Sequence, residues 1–206
     1  MNLIIIDYGA GNLASIKNML KRIGVESKIS SQESDLVSAD KIILPGVGAF
    51  DTCASQLQQS GLMNSLNLKV IEEKTPVLGV CVGMQLLLDG SEEGSLQGLG
   101  WIKGVNVKFN QAQMPNSYKI PHMGWTDVVP TKQSKLTDGL ETDSRFYFVH
   151  SYHAQLTDAH DATLTAHYGY SFTAAIEHNN ILGVQFHPEK SHQFGMKLLE
   201  NFVKNY

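Results

Sequence analysis

In the first ninety residues, short unbroken apolar runs alternate with stretches whose apolar positions recur every three or four residues. Residues 3–6 form such a run, ending in Asp7, which suits a central parallel strand. After the turn Tyr8-Gly9-Ala10-Gly11-Asn12, the positions Ile16, Met19, Leu20 and Ile23 predict an amphipathic helix stopped by Gly24. Residues 26–29 and 41–44 predict two further strands with a short helix between them. Helices are expected over 51–57 and 62–73, and Val77-Leu78, between Pro76 and Gly79, opens a fourth strand. Strand and helix in alternation are the pattern of a mostly parallel, doubly wound sheet flanked by helices.

Beyond residue 100 the pattern changes from alternating strand and helix to a succession of strands. Residues 101–109, 124–129, 145–149, 162–168, 172–178 and 181–186 predict strands, and Asn179-Asn180 sits where a two-residue hairpin turn is needed. Phe194, Leu198, Leu199 and Phe202 predict a closing amphipathic helix. No repeat or linker interrupts the chain, so the expected architecture is one α/β domain over 1–206 with an antiparallel β extension.

Composition narrows the function classes. The 206 residues are 42% hydrophobic and 17% charged, with a net charge of -4 and no cluster of Lys and Arg; a nucleic-acid partner is not expected. No apolar run is long enough for a membrane span, and the N-terminus lacks the basic region of a signal peptide. Two cysteines, Cys53 and Cys81, make no disulfide framework, and a cytoplasmic location is expected. The pair Gly9-Ala10-Gly11 lacks the third glycine of a dinucleotide-binding turn. His150 and His153, three apart at a strand end, are expected on opposite faces and so make poor joint metal ligands. The remaining histidines are expected to satisfy local hydrogen bonds. No cofactor and no metal is implied.

Chemistry concentrates at Gly79-Val80-Cys81-Val82-Gly83. A strand, a Gly-x-Cys-x-Gly turn and a helix beginning in Met84-Gln85-Leu86-Leu87-Leu88 make the thiol form of a nucleophile elbow. The glycines allow strained backbone angles and close approach, and the positive end of the helix favours a thiolate. A buried structural cysteine is the competing reading of the pentapeptide. A second constellation, His187-Pro188-Glu189, decides between them. In extended chain, residues two apart share a side, and Pro188 biases His187 towards extended angles. The carboxylate can then orient the imidazole, as a thiol nucleophile's base requires. Gly46-Val47-Gly48, after the third strand, is either an ordinary turn or a source of free backbone N–H groups that joins Val82 in an oxyanion hole.

Taken together these segments resemble the triad-type (class I) glutamine amidotransferase family, and within it the glutaminase subunits of imidazole glycerol phosphate synthase. Gly79–Gln85 matches the nucleophile motif and Gly183-Val184-Gln185-Phe186-His187-Pro188-Glu189 the His/Glu motif. Asp7–Asn12, Leu44–Phe50, Pro121-His122-Met123-Gly124-Trp125, Phe146–Tyr152 and His187–Ser191 extend the likeness along the whole chain. The resemblance implies that Cys81 attacks the L-glutamine side-chain amide, with His187 relaying protons and Glu189 orienting it. It implies an oxyanion hole at Val47, Gly48 and Val82, and glutamine held by Gly46, Gln85, Glu93, Ser151 and Tyr152. It further implies that Asn12, Tyr147 and Lys190 face a partner, a (β/α)8-barrel cyclase, in a heterodimer through which ammonia passes.

Three departures are visible. Val80 and Val82 stand where isoleucine and leucine are more usual, and Thr126 where asparagine is. The segment 190–199 and the ending Ser151-Tyr152-His153 resemble paralogues that feed ammonia to a sugar-modifying amidotransferase in surface-polysaccharide pathways. A free-standing thiol amidohydrolase, and a catalytically silent scaffold for a barrel protein, are the other classes the residues leave open.

Overall fold

A computed structural model describes residues 1–140 and 143–206. The strands are β1 (Leu3–Ile6), β2 (Lys28–Ser30), β3 (Lys41–Gly46), β4 (Val77–Cys81), β5 (Gly90–Ser91), β6 (Gly104–Lys108), β7 (His122–Pro130), β8 (Arg145–His150), β9 (Tyr152–Leu156), β10 (Ala162–Tyr168), β11 (Tyr170–His178) and β12 (Ile181–Val184). The helices are α1 (Leu13–Arg22), α2 (Glu33–Val37), α3 (Phe50–Gln59), α4 (Met63–Asn67), α5 (Val82–Leu86) and α6 (His192–Asn205).

The main path of the sheet runs β2-β1-β3-β4-β12-β11-β10-β7-β8, with β9, β6 and β5 branching from β11. From β2 to β12 the pairs are parallel; from β12 onward they are antiparallel. The class expected from the apolar pattern is therefore the class observed. The parallel strands β1, β3, β4 and β12 are buried end to end, which is why their sequences read as unbroken apolar runs rather than alternating ones.

One placement matters most for function. Strand β12 returns from the antiparallel half to lie parallel to β4, with Gly183 opposite Gly79 and Val184 opposite Val80. The carboxyl ends of β3, β4 and β12 thus open on one edge of the sheet, where open α/β sheets bind their ligands.

Several expected elements differ in extent. The helix after Cys81 is only five residues long, because Leu87 and Leu88 turn away to accept N–H bonds from residues 100–102. The same bonds hold Trp101 and Ile102 in a bend, so the strand expected from 101 begins at Gly104. The helix expected over 62–73 is α up to Asn67 and a wider π-helical turn over Leu68–Glu72. Strand β9 was not anticipated; it follows β8 after a bend at Ser151. That bend overturns the expectation for His150 and His153. They do not diverge to opposite faces, since both rings pack on Phe109, with centroids 5.2 and 4.8 Å away.

Candidate active site

Cys81 ends β4 and precedes α5, with φ 56° and ψ −114°. A left-handed φ at a residue bearing a Cβ is strained, and such strain is found mainly at functional positions. The neighbouring glycines do not carry that strain; they make room for it. A Cβ on Gly83 would stand 1.9 Å from the Leu44 carbonyl oxygen, and one on Gly79 2.7 Å from that of Gly83. Gly46, opposite Cys81 in the β3–β4 register, would meet the Gly83 nitrogen at 2.6 Å. The elbow is seated directly against β3, and only glycine permits it.

His187 lies just past β12. Its Nδ1 is 2.8 Å from Glu189 Oε1, and both side chains are buried. The loop is tied down from β8: His187 N–H donates to the Tyr147 carbonyl at 2.9 Å, Tyr147 N–H to Ser191 Oγ at 3.0 Å, and Ser191 Oγ–H to the His187 carbonyl at 2.6 Å. Burial pushes the imidazole pKa down. The Cys81 sulfur and the Glu189 carboxylate, its two hydrogen-bonding neighbours, raise it further than that, to about 10. Both neighbours favour the protonated form of the ring.

A cavity of about 360 Å³ opens over these groups. Cys81, Val82 and His187 line it together with Val47, Gly48, Gln85, Glu93, Ser151, Tyr152 and Lys190. Glu189 stands behind His187 and Gly46 beneath the elbow, so neither reaches the cavity wall. Gly48 has φ +99°, and the Val47 and Gly48 N–H groups donate no hydrogen bond among the described residues. Val82 N–H is at the first position of α5, where an intrahelical acceptor is lacking. Glu93 has a structural engagement as well, accepting the Phe50 N–H at 2.8 Å and so closing the start of α3. Gln85 donates from Nε2 to the Tyr152 carbonyl at 3.3 Å and to Gln185 Oε1 at 3.0 Å.

Residues expected to face a partner gather beside this cavity. Asn12 Nδ2 lies 3.4 Å from Glu189 Oε1, and Lys190 Nζ is 5.6 Å from the centre of the Tyr147 ring. Met123 and Trp125, on β7 next to β8, are exposed. Two residues of this neighbourhood were missed from sequence. Gln185 is fully buried with Nε2 3.9 Å from Cys81 Sγ; a glutamine inside the apolar run 181–186 was the available signal. Tyr8 donates its hydroxyl to the Pro45 carbonyl at 2.6 Å, under the segment 46–48, and nothing in its local sequence announces that.

A strained cysteine, a buried His–Glu pair and a cavity with free backbone donors are the parts of a thiol acyl-transfer site. Residues 4–206 match the family model described as "Glutamine amidotransferase class-I". The chain belongs to the class-I glutamine amidotransferases. It is 52% identical over 200 residues to "Imidazole glycerol phosphate synthase subunit HisH 2" of Methanococcus maripaludis, covering 97% of this chain and 98% of that one. Identity is 48% over 202 residues to the protein of the same name in Pseudomonas aeruginosa, with 98% of both chains covered. To "Imidazole glycerol phosphate synthase subunit HisH" of Leptospira borgpetersenii it is 47% over 199 residues, 97% of this chain and 98% of the other. Among solved structures, PurLQS from Thermotoga maritima superposes with TM-score 0.73 at 18% identity, and a glutamine amidotransferase crystal structure with 0.69 at 19%. In both cases 98% of this chain and 97% of the other are covered, and these likenesses concern the fold. As a member of this family the protein is an enzyme, a glutamine amidotransferase. Among the described residues no helix is long and apolar enough to cross a membrane, and no group of His, Cys, Asp and Glu is arranged to hold a metal.

Proposed function

We propose that this chain is the glutaminase subunit of an imidazole glycerol phosphate synthase, supplying ammonia to histidine biosynthesis through a Cys81–His187–Glu189 triad. The observation that carries the chemistry is the buried 2.8 Å contact of His187 with Glu189 behind a cysteine at φ 56°. Cys81 Sγ attacks the side-chain carbonyl carbon of L-glutamine, and its C=O electron pair moves onto oxygen. The N–H groups of Val47, Gly48 and Val82 receive that oxyanion; one such donor is worth about 100- to 1000-fold in rate. His187 gives its Nε2 proton to the leaving nitrogen, the C–N bond breaks, and ammonia departs from a glutamyl thioester. Water, deprotonated by the now neutral imidazole, then releases glutamate and restores the thiolate. Gln85, Glu93, Ser151 and Tyr152 hold the substrate, while Gly46, beneath the elbow, lets Gly83 sit against β3.

The partner in this reading is a (β/α)8-barrel cyclase, joined in a heterodimer across Asn12, Tyr147 and Lys190. The exposed Met123 and Trp125 beside them support a protein-covered face. The chain acts as a single domain over 1–206, and its two unpaired cysteines suit a cytoplasmic location.

A second reading is favoured by one observation. The Methanococcus and Pseudomonas relatives carry the numeral 2 in their names, and two Campylobacter jejuni relatives, each 43% identical, the numeral 1. Numbered copies suit a division of labour, with one copy feeding another ammonia acceptor such as a sugar-modifying amidotransferase. The test is glutamate release from glutamine by the chain alone, then with its histidine-pathway cyclase and that cyclase's nucleotide substrate, with Cys81→Ala as blank. A large rise that vanishes in the variant is expected. High activity indifferent to the cyclase would mean an independent amidohydrolase, and none with it would turn attention to the surface-sugar partner.

A further inference from the structure

Two buried histidines that the reaction does not use, His122 and His150, face each other across the β7–β8 pair. His150 Nδ1 lies 2.7 Å from the Tyr152 carbonyl oxygen, and its Nε2 lies 3.0 Å from His122 Nδ1. His122 Nε2 in turn lies 2.8 Å from Thr126 Oγ1. The direction of every bond follows from one fact, that a carbonyl oxygen only accepts. His150 therefore carries a proton on Nδ1. Its surroundings are the rings of Phe109, Phe148 and Phe172, with no carboxylate in hydrogen-bond contact, so the ring is neutral and Nε2 is bare. That bare nitrogen must accept from His122 Nδ1–H, which leaves His122 Nε2 to accept the Thr126 hydroxyl proton. Burial holds both imidazoles low, His122 at about 4 and His150 at about 3. Stacking of His122 on Tyr168 and Phe148, with centroids at 4.1 and 5.0 Å, prevents its ring from turning.

The row ends on the cavity, whose wall His150 itself joins. The Tyr152 carbonyl that His150 holds also accepts from Gln85, and Gln85 is bonded to Gln185, whose Nε2 approaches Cys81 Sγ. We propose that His122 and His150, each fixed as the Nδ1–H tautomer, are positioning residues that set the Tyr152 carbonyl and Gln85 for glutamine, with Thr126 as the outer anchor. The proposal rests on the glutaminase reading for its substrate, but the row itself does not. Thr126 lies next to the exposed Trp125, so the face assigned above to the partner and the glutamine wall are joined by four consecutive hydrogen bonds.

Nitrogen-15 spectra of the histidine-labelled full chain test the row alone. Both residues are expected as Nδ1–H tautomers, with a scalar coupling through the hydrogen bond between His122 Nδ1 and His150 Nε2. Protonation on Nε2 at either residue, or no coupling, overturns it. Thr126→Val is expected to leave His122 as the Nδ1–H tautomer, which His150 fixes, while the His122 Nε2 resonance shifts on losing its hydroxyl donor; an unchanged Nε2 shift counts against the anchor. Kinetics with the cyclase test the positioning. In His150→Asn the amide nitrogen stands at the Nδ1 position and still donates to Tyr152. In His150→Gln only the His122-facing end is kept. His150→Gln is expected to raise the glutamine KM about tenfold, the effect of one lost buried hydrogen bond, with kcat within threefold, and His150→Asn to recover most of that KM. Equal KM for the two variants, or a fall in kcat alone, overturns the proposal. Should His150→Gln not fold, the same KM comparison is made with Thr126→Val against Thr126→Asn, which restores a donor. A wild-type complex without glutaminase activity would instead sink the glutaminase reading and leave the spectra as the test of the row.

Discussion

Replacing Glu189 by glutamine removes one negative charge and almost no volume. In the folded chain Oε1 faces His187 Nδ1 at 2.8 Å and Asn12 Nδ2 at 3.4 Å, while Oε2 is buried with no partner. A glutamine can sit in two ways there. With its oxygen at the Oε1 position, the NH2 group occupies a buried place that offers no acceptor, at a cost of about 1–3 kcal/mol. Turned over, the NH2 faces Nδ1, which must then be bare, and Nε2 keeps its proton and cannot act as a base. In the first arrangement the imidazolium loses its counter-charge and in the second it cannot form, and breaking one side of a buried pair costs about 3–5 kcal/mol. Borne by the charged state of the reaction, that cost corresponds to a fall of about 100- to 10,000-fold in kcat. Glutamine KM is expected within threefold of wild type, because Glu189 does not line the cavity. Glutamate release in the complex with the cyclase, alongside urea unfolding of the isolated variant, measures both. A Glu189→Gln enzyme with kcat within threefold of wild type would refute the role assigned to this pair.

Three further outcomes are expected. The φ of 56° at Cys81 stores about 1–3 kcal/mol in any residue with a Cβ, so Cys81→Gly is expected to be about 1–2 kcal/mol more stable than Cys81→Ala. Equal urea midpoints would show that the elbow is unstrained. Gly83→Ala drives a Cβ to 1.9 Å from the Leu44 carbonyl and is expected to cost more than about 3 kcal/mol; a loss under 1 kcal/mol, read by urea unfolding, would mean that the elbow moves freely. His187 has a folded pKa near 10 against an ordinary value of 6.5. Its protonation therefore stabilises the fold fully below pH 6.5, and that contribution fades as pH rises through 10. Wild type should lose stability relative to His187→Gln across that window, and parallel curves would contradict the ion pair.

What was legible in the sequence was whatever is encoded locally. Gly79, Cys81 and Gly83 announce the elbow because backbone contacts exclude a Cβ at both glycines. His187 and Glu189 were readable together because Pro188 keeps them on one extended stretch. The parallel half was readable from its unbroken apolar runs. The five-residue α5 was overestimated because Met84–Leu88 is apolar at nearly every position, and such a run has no period. His150 and His153 were misjudged because one bend at Ser151 undoes strand alternation. The row from Thr126 to Tyr152 was out of reach for another reason. His122 and His150 meet only through the β7–β8 register, 28 residues apart, and no local pattern specifies a cross-strand partner.

The segment between β3 and α3 is held at both ends. Gly46 is locked in the sheet opposite Cys81, and Phe50 is held by Glu93. Only Val47, Gly48 and Ala49 lie between, and the Val47 carbonyl accepts from the Cys53 thiol at 3.4 Å. So short a tether cannot swing as a lid. It can change only as a crankshaft does, by rotating a peptide plane while both attachment points stay where they are. An on–off transition of the oxyanion donors would then leave the radius of gyration and the hydrodynamic volume unchanged. Scattering and sedimentation would be blind to it, and amide chemical shifts at positions 47 and 48 would be the place to see it.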